Sequence, residues 1–521
     1  MRTLSLVFAL TAVAAAANAQ ARTVSLEDAI ALADRSSESI EIARAAVARA
    51  NGQQLVARSQ FLPQLNLQAS YARTLASQFE GFSFGGPDTN TFRSLCTPSI
   101  PSTATPAERQ AALDQARTCA AAAGGPDFQS VGFGALNQWT LGLQFSQSVF
   151  SGGRNTGSRN AANAGRRVAD IELTAQRAQN ILDVTQAYYN TVLAARLADI
   201  AQATLAMSDD VLRQTTRARQ VGSSSEFELL RAQVARDNQV PVMLQRASER
   251  NIAMLRLKQM LEIPLDDSLV LTTSIDDAPV TPMAVVSDTT GRVAGDTAVA
   301  NRATVRQAEE SVRAQEGLLR VARSDRWPAL AITSGYQRLF FPQDVFPQFS
   351  DYRENWTIGL TANVSLLSGG RITGGVRQAE ANLREARARH QQAREFAALD
   401  ARVALSQLAQ AEAMFRASQG TAEQARRAYS IDQIRYREGI STQTDLTQSR
   451  LLVEQAMVNR AVAARDLAVA RMRVALLKDL PLGAAGASVT PQAGAMTAPM
   501  TPTPQAPGAA ASAPVSGSNQ Q

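Results

Sequence analysis

The residues that most often carry out chemistry in proteins are scarce in this chain of 521 residues. It contains one histidine, His390, two cysteines, Cys96 and Cys119, and two lysines, Lys258 and Lys478. A zinc site needs three or four cysteine or histidine ligands, and nucleophilic catalysis usually needs a base beside the nucleophile. Neither lysine follows a glycine, so the sequence also lacks a phosphate-binding Gly-Lys-Ser/Thr loop. We therefore expect no enzyme activity, no metal site and no cofactor.

The two cysteines lie in one segment, residues 79–131, which is rich in Gly, Ser, Pro and Phe. Paired cysteines are typical of an oxidising compartment, so we expect a disulfide between Cys96 and Cys119, with two free thiols as the alternative. Inside the segment, Thr105 and Glu108 have capping-box spacing, and Pro106 stands at the first helical position. This pattern predicts a short helix that ends near Cys119.

The first 19 residues have the pattern of a signal peptide. Arg2 precedes an apolar run, residues 4–17, and small residues surround Asn18 before Gln20. No later apolar stretch is long enough to span a bilayer as a helix, so a membrane location would require β-strands. At the other end, residues 482–521 have no charged side chain and are dominated by Ala, Pro, Gly, Ser and Thr. We expect this tail to be disordered and assign it no function.

An internal duplication organises the rest of the chain. The segment from Trp139 to Arg154 recurs from Trp356 to Arg371, and both copies end in Ser-Gly-Gly-Arg. In the same way, residues 56–71 recur as residues 321–336. The two matching segments lie further apart in the first copy, and the extra length corresponds to the cysteine-bearing insertion. We therefore divide the chain into a first repeat, 20–265, with the insertion at 79–131, a linker, 266–300, and a second repeat, 301–481.

Each repeat contains two segments in which apolar residues alternate with polar or small ones. This period predicts four strands, each with one apolar face. The apolar positions are Leu65, Leu67, Ala69 and Tyr71; Trp139, Leu141, Leu143 and Phe145; Leu330, Ile332 and Tyr336; and Trp356, Ile358, Leu360, Ala362 and Val364. The pattern suits a barrel with lipid outside and water inside, and it equally suits a half-buried sheet in a soluble domain.

Very long helices are predicted between the strands. No proline occurs over residues 127–240 or 348–480, and apolar residues recur there at coiled-coil spacing. Gly222 and Gly439 interrupt these helices at equivalent places, and each is followed by hydroxyl residues typical of a helix start, which predicts two helical hairpins with glycine tips. Acidic residues are mixed among the many arginines, so we expect a solvated helix face and no binding to nucleic acid.

These features together resemble the TolC-like outer-membrane efflux protein family, the outer membrane factors of tripartite efflux and type I secretion systems. The resemblance rests on the Ser25-Leu26-Glu27-Asp28-Ala29 helix start, the Phe61-Leu62-Pro63-Gln64-Leu65 segment, the repeated Trp-Thr-x-Gly-Leu strands and the glycine tips. It implies an α+β membrane protein: a homotrimer with a shared 12-stranded antiparallel β-barrel in outer-membrane lipid, four strands per chain, continued by a long coiled-coil α-helical barrel in the periplasm. Four strands cannot close alone, and an open sheet edge is forbidden in lipid, which agrees with a shared barrel.

The resemblance also assigns roles to residues near the tips. It places the docking of a periplasmic adaptor, which connects to an inner-membrane transporter, at Val221, Gly222 and Ser223 and at Glu438, Gly439 and Ile440. It places a periplasmic gate at Glu228, Tyr436 and Asp445, although ordinary packing at the tip is an equally good explanation of Glu228 and Tyr436. Ser441 stands where the family has an arginine, and Gln448 where it has a second acidic residue.

The sequence thus predicts a passive exit duct in the bacterial outer membrane that carries small molecules or secreted proteins from a pump and its adaptor to the exterior. The alternative is a soluble periplasmic coiled-coil scaffold or adaptor. An adaptor should have a single hairpin and no barrel strands, whereas this sequence has two hairpins, each preceded by amphipathic strands.

Overall fold

A computed structural model describes residues 22–76, 96–123, 135–275, 298–342, 345–346 and 352–482. The predicted signal peptide, the tail from residue 483, and the parts 276–297 of the linker and 79–95 and 124–131 of the insertion lie outside these residues. The described strands are β1 (Arg22–Val24), β2 (Gln64–Arg73), β3 (Asn137–Phe150), β4 (Leu269–Leu271), β5 (Ala329–Phe340) and β6 (Arg353–Asn363).

Nine α-helices complete the described fold. Their bounds are α1 (Leu26–Ser36), α2 (Glu38–Ser59), α3 (Pro106–Ala123), α4 (Arg154–Gln220), α5 (Glu226–Asp237), α6 (Gln239–Met260), α7 (Ala303–Ser324), α8 (Arg371–Arg437) and α9 (Gln443–Ala475). The helices α4 and α8 have 67 residues each, so at ~1.5 Å per residue both are about 100 Å long. The predicted α+β class, long helices and glycine-tipped hairpins are confirmed.

The four predicted strands form one antiparallel sheet in the order β2-β3-β5-β6. Neighbouring strands pair over nearly their full length, with one irregularity between Ser148 and Phe150 on β3. The helices continue the same order below the sheet: α2 packs on α4, α4 on α7, and α7 on α8. Towards the tips, α5 and α6 pack on α4, α4 packs on α9, and α9 on α8. The molecule is thus a single layer whose edges are β2 with α2, α5 and α6 on one side, and β6 with α8 on the other.

The main apolar core lies near the middle of α4. It surrounds a small parallel strand pair that the sequence patterns did not predict. β1 and β4 pair over three residues each, and Val24, Leu257 and Leu269 pack there on α4. The Tyr188 hydroxyl on α4 donates to the Val24 carbonyl at 3.1 Å and accepts from the Thr273 N–H at 3.1 Å. This one buried side chain therefore links β1 and the segment just after β4 to the long helix.

The two hairpins differ in their returning arms. In the second repeat the arm is one helix, α9, whereas in the first repeat it is divided into α5 and α6 at Asn238. Pro241 follows shortly after this break and lacks the N–H that a continuous helix would need. The corresponding residue in the second repeat is Val458, which keeps α9 unbroken.

No helix in the described parts of the chain is both long enough and apolar enough to cross a membrane.

Candidate functional site at the sheet and the hairpin tips

One face of the sheet is mostly apolar, with the ion pair of Arg338 and Glu354 as its charged exception. Residues directly opposite each other on neighbouring strands share a face, and the register aligns Leu67, Leu143, Tyr336 and Trp356 in one row. This face is not covered by the rest of the chain, because Leu67 is 69% exposed, Trp356 is 77% exposed and the neighbouring Ile358 is 80% exposed. An uncovered apolar patch of this kind marks a surface for lipid or another protein.

The opposite face of the sheet is polar or small apart from Leu339. The row next to the apolar one consists of Asn66, Gln144, Gly335 and Thr357, and the following row of Gln68, Gly142, Gln337 and Asn355. A half-buried sheet of a soluble domain would cover its apolar face and leave the polar face to solvent. Here both faces of β2 and β6 are exposed, and an apolar face left uncovered favours the lipid-facing interpretation of the alternation.

The hairpin tips are built by glycines in the left-handed region. Gly222 has φ +78° and Gly439 has φ +73°, conformations that a side chain would strain. Behind each glycine the chain closes the helix with the same bond: Ser223 N–H donates to the Ala218 carbonyl at 2.9 Å, and Ile440 N–H donates to the Arg435 carbonyl at 2.8 Å. Both tips therefore follow one design.

The tips present aliphatic side chains to solvent. Val221 is 79% exposed and Ile440 is 67% exposed, and Ser223 and Glu438 beside them are also exposed. The last turn of each long helix is basic, with Arg217 and Arg219 on α4 and Arg435 and Arg437 on α8. An exposed aliphatic group within a basic rim is a feature expected of a protein-binding surface.

The two acidic gate candidates both act as helix caps. On α5, Glu228 accepts hydrogen bonds from Ser224 Oγ at 2.6 Å and from the Ser225 N–H at 3.2 Å. On α9, Asp445 accepts hydrogen bonds from Thr442 Oγ1 at 2.7 Å and from the Thr442 N–H at 3.0 Å. These are reciprocal capping boxes, because the Ser225 and Thr442 hydroxyls accept in turn from the Glu228 and Asp445 N–H groups.

These hydrogen bonds also set the charge of the carboxylates. Bonds from Ser224 and then Ser225 hold the pKa of Glu228 below its ordinary value, and bonds from the Thr442 backbone and side chain do the same for the pKa of Asp445. Both side chains are therefore negatively charged at neutral pH.

The structure does not bring the three gate candidates into one network within the chain. The Tyr436 hydroxyl lies 3.3 Å from Thr215 Oγ1, so it links α8 to α4. Ser441, at the position of the family arginine, donates to the Asp432 carbonyl at 3.4 Å. The two hairpins are instead joined near the tips by Arg231 Nη1, which donates to Thr444 Oγ1 at 2.7 Å.

The disulfide prediction is confirmed: Cys96 and Cys119 are bonded, with their Cα atoms 5.7 Å apart. The capping box of α3 is also confirmed, since Glu108 accepts from the Thr105 N–H and Oγ1, both at 2.8 Å. The helix continues past Cys119 to Ala123. The disulfide therefore fixes this helix to the described segment that precedes it.

Sequence reasoning missed a buried ion cluster that joins α7, α8 and α9. Arg302, which is fully buried, donates to Asp400 at 2.6 Å, and Arg473 donates to the other oxygen of Asp400 at 3.1 Å. The three residues lie far apart in the sequence, so no local spacing could have revealed the cluster. It is structural, because it contributes a fixed link between helices.

Among the described residues, no group of three or more His, Cys, Asp or Glu side chains is placed to hold a metal ion.

Comparison with known proteins identifies relatives of this architecture. The family model described as "Outer membrane efflux protein" matches residues 29–261 and 294–477. No curated protein matches the chain by sequence at a significant level.

Several solved structures share the fold at low sequence identity. The CmeC outer membrane channel of Campylobacter jejuni is 17% identical, with 88% of this chain and 86% of that chain covered and a TM-score of 0.66. The MtrE outer membrane channel of Neisseria gonorrhoeae, in its open state, is 17% identical, with coverage of 88% and 89% and a TM-score of 0.66. The outer membrane protein VceC of Vibrio cholerae is 16% identical, with coverage of 87% and 95% and a TM-score of 0.63.

Proposed function

Because the chain belongs to the outer membrane efflux protein family, we propose that three copies assemble into a duct that passively conducts cargo from an inner-membrane transporter and its periplasmic adaptor to the exterior. Members of this family are outer-membrane efflux channels of tripartite systems and not enzymes. The chain is accordingly located in the bacterial outer membrane and extends into the periplasm. The copy number, the shared barrel, the cargo and the partners are the parts that we propose.

The observation that carries the proposal is the open four-stranded sheet with its uncovered apolar face. Among the described residues, β2 and β6 each pair with one strand only, so each leaves a row of backbone N–H and C=O groups unpaired. In lipid such an edge costs several kcal/mol per group, roughly, and must therefore be paired with another copy. Three copies supply 12 strands, a number within the range of outer-membrane barrels.

The helices extend this barrel into a tube. In each copy α4 and α8 span about 100 Å, far more than the ~40–45 Å of a whole bilayer. Most of their length must then lie in the periplasm, with the glycine tips at the far end. A tube closed by three copies would be continuous with the barrel, so cargo could pass without entering the periplasm.

The tips are the surface that we assign to the adaptor. Val221, Gly222 and Ser223 form one tip, Glu438, Gly439 and Ile440 the other, and Val221 and Ile440 make no packing contribution that would explain their aliphatic character. We assign the gate to Glu228, Tyr436 and Asp445 of the three copies together, since within one copy they do not meet. The same tube would serve small molecules or secreted proteins as cargo.

The soluble periplasmic scaffold or adaptor is the competing function, and solubility distinguishes the two. A duct requires detergent for extraction, migrates as a trimer on unheated gels, and forms discrete conductance steps in planar bilayers. A scaffold washes off membranes with salt or alkali and produces no conductance. Purified protein that stays monomeric in detergent and never conducts would contradict the proposed duct.

A further inference from the structure

The internal duplication holds at the level of single residue pairs. Within the first repeat, Leu67 pairs with Leu143 and Tyr71 with Trp139. The repeat alignment of the sequence converts these two pairs into Ile332 with Leu360 and Tyr336 with Trp356. Those are the pairs that β5 and β6 form. The two repeats therefore correspond without a register slip, and a contact in one can be translated into the other.

The two repeats meet inside the chain at a close crossing of α4 and α7. A Cβ atom added to Gly157 would lie 2.6 Å from the Gly317 carbonyl oxygen, and one added to Gly317 would lie 2.7 Å from the Gly157 carbonyl oxygen. Both distances are well inside van der Waals contact. Only glycine allows the two backbones to approach this closely.

The same alignment converts this glycine pair into two glycines at opposite edges of the molecule. Gly157 corresponds to Gly374 on α8, and Gly317 corresponds to Gly52 on α2. Both are exposed, and a Cβ atom added to either would have no described heavy atom within 4 Å. Each edge thus carries one half of a glycine crossing and lacks the other half.

Residues around the crossing are likewise packed inside the chain, and their counterparts at the edges are open. Val321 packs within 2.9 Å of a Cβ atom added to Gly157, and its counterpart on α2, Val56, is 65% exposed. A Cβ atom added to Gly152 would clash with the Ser324 carbonyl oxygen at 2.8 Å, whereas the counterpart of this glycine, Gly369, is open. The contact that α4 and α7 make inside the chain therefore has no partner at its two counterparts, α8 and α2, on the edges of the molecule.

We propose that α8 of one copy packs on α2 of the next copy through Gly374 and Gly52, repeating the contact that α4 and α7 make within the chain. β6 of the first copy then pairs with β2 of the next in the register of β3 and β5. In that register Phe145 faces Ser334, which translates to Ala362 facing Ala69 of the next copy. The contact is head-to-tail, so it repeats around the ring until the ring closes.

This inference rests on the proposed assembly and specifies its contact surface, which a glycine substitution can test. Gly52→Leu and Gly374→Leu should each abolish the trimer on unheated gels while the single chain keeps its helical circular dichroism, because neither clashes within a copy. Gly165→Leu is the matched control: its added Cβ would also be free, but both helices that flank α4 belong to the same chain. We expect this variant to assemble. Normal assembly of Gly52→Leu and Gly374→Leu would overturn the glycine contact.

The strand register can be tested with paired cysteines, because Cys96 and Cys119 are already bonded to each other. Ala69→Cys with Ala362→Cys in one chain should form dimers and trimers when copper phenanthroline and oxygen oxidise the thiols. Ser70→Cys with Ala362→Cys is the control, since Ser70 lies on the opposite face of the sheet.

Failure of the register and failure of the duct give different results. Cross-linking through Ser70 in place of Ala69, or no cross-linking in a preparation that is trimeric and conducts, would overturn the register and leave the duct intact. A preparation without trimer or conductance would instead refute the proposed function itself.

Discussion

At the scale of single residues, Asp445 has two roles, a helix cap and a charge at the proposed entrance, and a test of one must leave the other unchanged. Its carboxylate caps α9 through Thr442, and in the proposed trimer three copies of it surround the entrance. Asp445→Ala would remove the cap together with the charge. Asp445→Gln removes the charge only, because glutamine can still complete a capping box, and Asp445→Glu keeps both charge and cap.

We predict that Asp445→Gln weakens block of the channel by polyvalent cations by roughly tenfold, because the ring would no longer concentrate cations at the entrance. Asp445→Glu should retain the block. Hydrogen bonds from Thr442 lower the pKa of Asp445, so the block in the unaltered protein should persist at mildly acidic pH. Single-channel recordings with equal block in both variants would exclude an Asp445 ring.

Residue roles could be predicted from the sequence where they depend on neighbours along the chain. The capping box of Thr105 and Glu108 and the glycine turns depend on short spacings, and two cysteines allow only one disulfide within the chain. The residues from Ser441 to Asp445 likewise predict a helix start, and Asp445 caps that helix, whereas its place at a gate comes only from the family resemblance. Arg302 and Asp400 were beyond reach, because only the tertiary fold brings them together.

At the scale of elements, the Tyr188 hydroxyl adds two hydrogen bonds to the apolar packing that holds β1 and the segment after β4 on α4. Its hydroxyl is buried and makes two hydrogen bonds, so Tyr188→Phe leaves the Val24 carbonyl and the Thr273 N–H without this partner. We predict a loss of about 1–3 kcal/mol of stability. The next residue, Tyr189, is the matched control.

Tyr189 is equally buried, but its hydroxyl has no hydrogen-bond partner among the described residues, and burial raises its pKa to about 12. Tyr189→Phe removes an unsatisfied polar atom and should leave the stability unchanged or slightly higher. Thermal unfolding of both variants in the same detergent and at the same scan rate measures the difference. Equal unfolding temperatures would show that the Tyr188 hydrogen bonds do not hold these strands.

Elements differ in how well the sequence predicts them, and their length is the reason. The four sheet strands and the long helices each repeat their period many times, so they were predicted and are confirmed. β1 and β4 have three residues each, too few for any alternation to be visible. The break between α5 and α6 depends on Pro241 alone, and the periodicity of that arm predicted a single amphipathic segment.

At the scale of the whole molecule, export requires both a conducting tube and docked tips, and the structure allows the two to be separated. Val221 and Ile440 are among the most exposed aliphatic residues of the helical region, and the four-stranded sheet is about 100 Å away along the helix. Changes there should leave the barrel and the ring contacts as they are.

We predict that Val221→Asp combined with Ile440→Asp reduces export in cells by roughly tenfold or more, while the trimer and its conductance in planar bilayers remain normal. A carboxylate introduced at the centre of an apolar contact loses its water when the adaptor binds, and this desolvation costs several kcal/mol, roughly. His390→Ala is the control, because His390 lies in the half of α8 that is far from the tips, and this variant should export normally. Cross-linking from a cysteine at the exposed Ser223 should capture the adaptor in the otherwise unaltered protein and not in the doubly substituted one. Normal export by the doubly substituted protein would move adaptor docking away from the tips.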